Sequence, residues 1–259
     1  MNVKKVLTVA VSILLTSTFL LAQGGKGTTN TTTTTKKGNE PIKQPDGTYK
    51  HKGYTEANRP EDSYLAKFHA IDVVNKLMKD NLEKIYLLNV MTQNFGEGNV
   101  RDVYKKCYQG YKKAMQYYYR RNVIYSRVEF EKNRKALQDL LRKLANTYKK
   151  KTDQMLDICA TKIMLQHLDA TTRSNPDKHR SLQLNQMRLR IAYGQFDDAD
   201  GRMKDHLYDI SIYHYRVAKS YAIKILAELS KPDERKKLLE QYKVDRADNL
   251  NRIFNIKKK

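Results

Sequence analysis

Apolar positions follow two patterns along this chain. Between Val6 and Leu21 they run almost unbroken, whereas after Glu61 they recur every three to five residues among charged ones, the stripe of amphipathic helices. From Ser63 to about Phe95 the stripe is Leu65, Phe68, Ile71, Val74, Leu77, Leu82, Ile85 and Leu88, and Gly96-Glu97-Gly98 closes the helix. The next periodic stretch, Val100 to Leu168, contains no proline. It is one very long helix or two joined by a bend near Asn122. Tyr104, Tyr111, Tyr118 and Tyr125 recur at heptad spacing, and Leu137, Leu141, Leu144, Tyr148, Met155, Ile158 and Leu165 extend a seam suited to coiled-coil-like packing.

Ser174-Asn175-Pro176 breaks the pattern, and Asp177 opens a helix carrying Leu182, Met187, Leu189 and Ile191 toward Gly194. Asp197 then reads as the N-cap of a helix from Asp198 to Leu229, with Leu207, Ile210, Tyr213, Val217, Tyr221, Ile225 and Leu229 on one stripe. Lys231-Pro232-Asp233 interrupts again, before a short helix near Glu234 to Tyr242 and a last amphipathic piece through Ile253. Residues 61–259 are therefore expected to form an elongated all-α domain with at least one long arm. The Val- and Ile-rich runs that a parallel sheet needs are missing, which argues against an α/β enzyme.

The unbroken apolar run has another meaning. Lys4 and Lys5 precede it, it is too short for an ordinary membrane span, and Ala22 offers a small residue for cleavage, so residues 1–22 read as a secretory signal peptide. A retained anchor is the alternative; with cleavage, the mature chain starts near Gln23 and has no stable membrane insertion. Residues 23–60 are rich in Thr, Lys, Gly and Pro, with five threonines at Thr31 to Thr35 and a turn signal at Pro45-Asp46-Gly47. They are expected to be a disordered leader, either a tether that orders on a partner or a plain spacer.

Catalytic signatures are missing. His51, His69, His167, His179, His206 and His214 are scattered without zinc spacing, and no phosphate loop or nucleophile elbow occurs. Asp197, Asp198 and Asp200 before Gly201 lack the alternating ligands of a calcium loop and read instead as acids of a first helical turn. No catalytic residue, metal or cofactor is expected, and the chain reads as a non-enzyme. Cys107 and Cys159 either pair, if their helices are antiparallel neighbours, or remain as two buried thiols. Gly194-x-Phe196-x-x-Ala199 resembles part of a tetratricopeptide repeat and reads as the corner of a helical hairpin.

Charge singles out one face. The formal charge is +22, and between Arg101 and Lys135 eleven Lys and Arg stand against three acids. Tyrosines interleave with them, so Tyr108, Tyr111, Lys112, Lys113, Tyr118, Arg120, Arg121 and Arg127 form a candidate partner-binding face. The plainer reading is a tyrosine core row beside a solvated basic row. Gly110, inside this helix, signals a close backbone approach. Export removes the chain from nucleic acid and leaves acidic proteins, anionic envelope polymers or lipid headgroups as partners.

The stretch Leu189-Arg190-Ile191-Ala192-Tyr193-Gly194-Gln195-Phe196-Asp197-Asp198-Ala199-Asp200, followed by Tyr213-His214-Tyr215-Arg216-Val217-Ala218-Lys219-Ser220-Tyr221, resembles the flagellar-coiling proteins of spirochaetes. The Thr-rich leader and the long basic tyrosine-bearing helix are similar too. The resemblance implies a V-shaped, non-catalytic subunit of the sheath around the periplasmic flagellar filament. Its partners would be the core filament and other sheath proteins, with self-assembly into a lattice that supports coiling and motility. The rival reading is a secreted helical binding module, an adhesin or a binder of anionic envelope polymer.

Overall fold

The computed structural model describes residues 63–254 together with 42–43, 49–50, 54, 60 and 61; the expected signal peptide and most of the leader lie outside these. The chain divides into two units, Met1–Ala57 and Asn58–Lys259. In the first, β1 (Ile42–Lys43) and β2 (Tyr49–Lys50) pair antiparallel, with Ile42 opposite Lys50.

The described residues of the second unit build an all-α fold of α1 (Tyr64–Phe95), α2 (Val100–Tyr119), α3 (Val123–Leu168), α4 (Ala170–Ser174), α5 (Pro176–Lys204), α6 (Tyr208–Leu229), α7 (Pro232–Gln241) and α8 (Lys243–Asn249). Ser63 caps α1 by accepting from the Ala66 amide at 3.2 Å. The Asn175 side chain caps α5, so that helix begins at Pro176, whose missing N–H costs nothing there. The bend expected near Asn122 is a true break between α2 and α3.

At 46 residues, α3 is the spine; with a rise of 1.5 Å per residue it is roughly 69 Å long. Phe130 near its start joins Val74, Leu77 and Ala114 in one cluster. Its middle, from Leu137 to Tyr148, shares one cluster with Ile85, Leu88 and Met91 of α1 and with Ile212 and Tyr215 of α6. Its end packs Met155, Leu156 and Cys159 against Leu182, Ala222 and Leu226. A polar clamp closes the middle: Asp248 of α8, fully buried, accepts from Arg216 Nε and Nη2 at 3.0 and 3.1 Å, from Asn94 Nδ2 at 3.3 Å and from the Tyr148 hydroxyl.

Several sequence expectations change. Asp197 is not an N-cap, and Asp197, Asp198 and Asp200 lie in the later turns of α5, which runs through Gly194 and Gly201 to Lys204. Packing overrides the glycine cost of about 1 kcal/mol: Phe196 stands edge-on to Tyr215 at 5.5 Å, and Asp200 takes the Tyr215 hydroxyl and Lys149, the latter at 2.5 Å. The break comes at Asp205–Leu207 instead. The stripe expected on α6 holds only in its later turns. Ile225 is buried and Tyr221 and Leu229 pack beside it, but Leu207, Ile210 and Tyr213 are exposed, and in the first turns Ile212, Tyr215, Ala218 and Lys219 are buried instead. Leu65, Phe68 and Ile71 on α1, Ile158 and Leu165 on α3, and Met187 and Ile191 on α5 are exposed as well. For α1 the reason is length: Tyr118, next to last in α2, already meets Asn75 at 3.3 Å, so the first turns of α1 have no α2 residue beside them.

The two long hairpins are built alike. At a constant offset, Ala114 answers to Ala199, Arg121 to His206, Ser126 to Ser211, Tyr111 to Phe196 and Phe130 to Tyr215. Ser126 Oγ donates to the Ala114 carbonyl at 3.0 Å, and Ser211 Oγ to that of Ala199 at 2.9 Å. Tyr111 and Phe130 meet edge-on at 5.6 Å, as Phe196 and Tyr215 do at 5.5 Å. Arg121 and His206 both sit at φ 60°, the left-handed residue of a Schellman stop. Their amides bond Tyr118 O and Met203 O, while those of Asn122 and Leu207 bond Tyr117 O and Arg202 O.

Candidate functional site

The face picked out by the sequence lies on α2 and the first turns of α3. Its first layer is fixed by packing. Tyr111 is half-buried against Phe130, and Tyr118 donates from its hydroxyl to Asn75 Oδ1. At Gly110, α2 passes close to the Asn133 side chain of α3: a Cβ there would stand 2.6 Å from Asn133 Oδ1. Asn133 cannot swing away freely, because its Nδ2 donates to Asn81 Oδ1 at 3.0 Å and Asn81 Nδ2 donates to the Leu77 carbonyl at 2.8 Å.

Two of the predicted cations serve the fold. Lys113 Nζ donates to Glu129 Oε1 at 3.0 Å, and Glu129 is buried; Arg127 Nε donates to Glu131 Oε1 at 2.8 Å along α3. What remains open is Tyr108, Lys112, Arg120 and Arg121. Lys112 Nζ stands 4.7 Å above the Tyr108 ring, a cation–π pair at the surface. Arg120 and Arg121 occupy the α2–α3 corner.

Beside this row the sequence reading missed a groove. α1 contributes Leu82, Ile85, Tyr86 and Asn89 and α2 contributes Tyr104, Tyr108, Tyr111, Lys112 and Tyr119 to a cavity of about 590 Å³. Burial and the neighbouring phenols Tyr119, Tyr86 and Tyr108 push the Tyr111 hydroxyl above its ordinary range. Tyr86 and Tyr119 are well exposed. The signal for it was available: Tyr86 follows Leu82 by four on α1, a helical neighbour placed just off the core stripe.

The equivalent hairpin gives a contrast. Where α2 and its corner carry Lys112, Lys113 and Arg120, α5 and its corner carry Asp197, Asp198 and Asp205 at the matching positions. One architecture thus tolerates either sign of charge.

The two cysteines do not meet in the core. Cys107 lies in the middle cluster and Cys159 in the end cluster, both as free buried thiols. Cys159 Sγ approaches the Ala222 carbonyl at 3.4 Å, and burial pushes its thiol up to about 12. Among the described residues no group of three or more His, Cys, Asp and Glu side chains could hold a metal ion, and no helix is long and apolar enough to cross a membrane.

Residues 70–259 match the family model described as surface protein adhesin OmpL37. No curated protein and no solved structure matches the chain. The match speaks for a surface protein, and it adds nothing specific to a flagellar sheath.

Proposed function

Since the chain belongs to the surface protein adhesin family OmpL37, we propose that it is a non-enzymatic, exported helical binding module that attaches to an acidic protein surface through the open part of α2. The carrying observation is the charge contrast between the two hairpins. Because the matching hairpin folds with Asp197 on α5 and Asp205 at its corner, the positive charge of Lys112 and Arg120 is not required by the fold and is free to serve recognition, with exposed Arg121 beside them. Tyr108, Tyr86 and Tyr119 supply rigid aromatic contact area beside it, each such contact adding about 1 kcal/mol. Individually weak sites gain strength when many copies act together on one surface.

A sheath subunit of the periplasmic flagellum, the role implied by the sequence resemblance, uses the same face on a different partner and in a different place. Protease treatment of intact cells separates the two. The adhesin reading expects loss of the protein under conditions that leave periplasmic markers intact. Full protection, with the chain recovered on purified flagellar filaments, would overturn it in favour of the sheath.

A further inference from the structure

Away from α2, the helices α6, α7 and α8 and the following Leu250 line a second, open pocket of about 350 Å³. Three cations, one from each helix, line it: Lys224, Arg235 and Arg246. None of the three side chains has an ion pair or hydrogen bond among the described residues, and no acid lines the cavity. Among the carboxylates near them in sequence, Glu228 pairs with Arg188, Glu240 with Lys243 at 2.8 Å, Asp245 with Lys219 at 2.7 Å and Asp248 with Arg216, while Asp233 and Glu234 in the first turn of α7 lie outside the lining of the cavity. The apolar side chains of Ile223, Leu239 and Leu250 line the same cavity. Ser220 and Asn249 complete the wall and are held in place: Asn249 Nδ2 donates to Ser220 Oγ at 3.0 Å, and Ser220 Oγ to the Arg216 carbonyl at 2.9 Å.

Three like charges gathered without a counterion favour a multiply charged anion, and two arginine forks match the oxygens of a phosphate better than a point charge does. A phosphate monoester carries nearly two negative charges at neutral pH. The volume is that of a small-molecule pocket, and the apolar wall suits a carrier attached to the phosphate. We propose that this pocket binds a phosphate monoester on a small carrier, a sugar phosphate or a phosphatidate headgroup.

Calorimetric titration of the full chain with glucose 1-phosphate, and co-sedimentation with phosphatidate-containing against pure phosphatidylcholine vesicles, test the assignment. Glucose and phosphatidylcholine serve as the uncharged comparisons. Binding of the sugar phosphate assigns a soluble source, and binding of phosphatidate vesicles alone assigns a lipid one. In either case the Arg235→Gln/Arg246→Gln variant should lose about tenfold per arginine. Leu250→Glu, which sets a carboxylate at the exposed rim, should lose binding as well. A Lys178→Gln/Arg180→Gln variant, which removes the same charge from the exposed start of α5, should bind as the parent does. No binding to either probe, or equal losses in the α5 variant and the pocket variant, would overturn the proposal.

Discussion

Lys219 Nζ, wholly buried in α6, donates to Asp245 Oδ1 in the first turn of α8 at 2.7 Å. The ammonium also lies 4.6 Å from the Tyr148 ring centre and 5.1 Å from that of Phe95. Burial drives the lysine's pKa down, and Asp245 and Asp248 draw it back up. Removing the carboxylate strands the charge: Asp245→Asn should cost about 3–5 kcal/mol, read as a lower urea midpoint with an unchanged slope. Unaltered stability would show that the pair contributes nothing.

Stability should fall in strong alkali. The Cys159 thiol is held up to about 12 against an ordinary 9.0, and the Tyr148 and Tyr215 hydroxyls are both pushed above their ordinary 10.0, in each case by burial first. Between pH 9 and 12 the unfolded chain therefore releases protons that the native one keeps, so unfolding gains as pH rises. Lys219 acts in the opposite sense, because its lowered native pKa makes stability rise with pH until the unfolded lysine titrates at 10.5. Three groups outweigh one above pH 10. Urea midpoints at pH 9 and 11 check this: the second should be lower, and Cys159→Ala should narrow the gap.

Glycines on the helices should respond with opposite signs. Gly110→Ala puts a methyl 2.6 Å from Asn133 Oδ1 and 3.2 Å from its Cγ, and overpacking of this kind costs about 1–3 kcal/mol. That exceeds the gain in helix propensity of about 1 kcal/mol. Gly194→Ala and Gly201→Ala meet nothing within 4 Å and should each stabilise by about 0.5–1 kcal/mol. Thermal melts of the three variants would show one fall and two rises.

Charge reversal on α2 should separate binding from folding. Lys112→Glu/Arg120→Glu/Arg121→Glu touches only exposed cations and should abolish attachment while circular dichroism stays unchanged. Lys113→Glu should behave differently: it faces buried Glu129 with a like charge and should lower the melting temperature. Attachment retained by the triple variant would remove this face from the binding surface.

Thiol labelling follows from the separation of the cysteines. Native protein should resist a maleimide, and protein in denaturant without reductant should take up two. Failure to label in denaturant would mean that the two are joined.

Helix ends were legible where a local device marks them, as at Ser63, Asn175-Pro176 and Lys231-Pro232, and so was the close approach at Gly110. Asp197 misled because an aspartate that suits an N-cap sits equally well late in a helix, and nearby Asp200 finds Lys149 and Tyr215 across the bundle. The α6 face misled for another reason. Large apolar residues stand on both faces of this helix, Ile212, Tyr215 and Leu226 in the core and Leu207, Ile210 and Tyr213 outside it, and the buried face is filled out by Ser211, Ala218, Lys219 and Ala222, so residue size does not mark it. The hairpin recurrence stayed hidden because its aromatic partners change identity and its charges change sign. The constant pairs Ala114 with Ser126 and Ala199 with Ser211 carried it. On the candidate face the sequence located the basic row, but it could not separate Lys113 and Arg127, tied to α3 carboxylates, from the open Lys112, Arg120 and Arg121.

The acids of α8 also impose an order on how this molecule comes into being. Arg216 and Lys219 enter the growing chain well before Asp248 and Asp245, which neutralise them. A chain emerging from its N-terminus can line up α1, α3 and α6, yet it cannot bury those two cations until α8 has arrived. The centre of the fold is thus completed only when α8 arrives, and a chain that lacks Asp245 and Asp248 stays open at its middle.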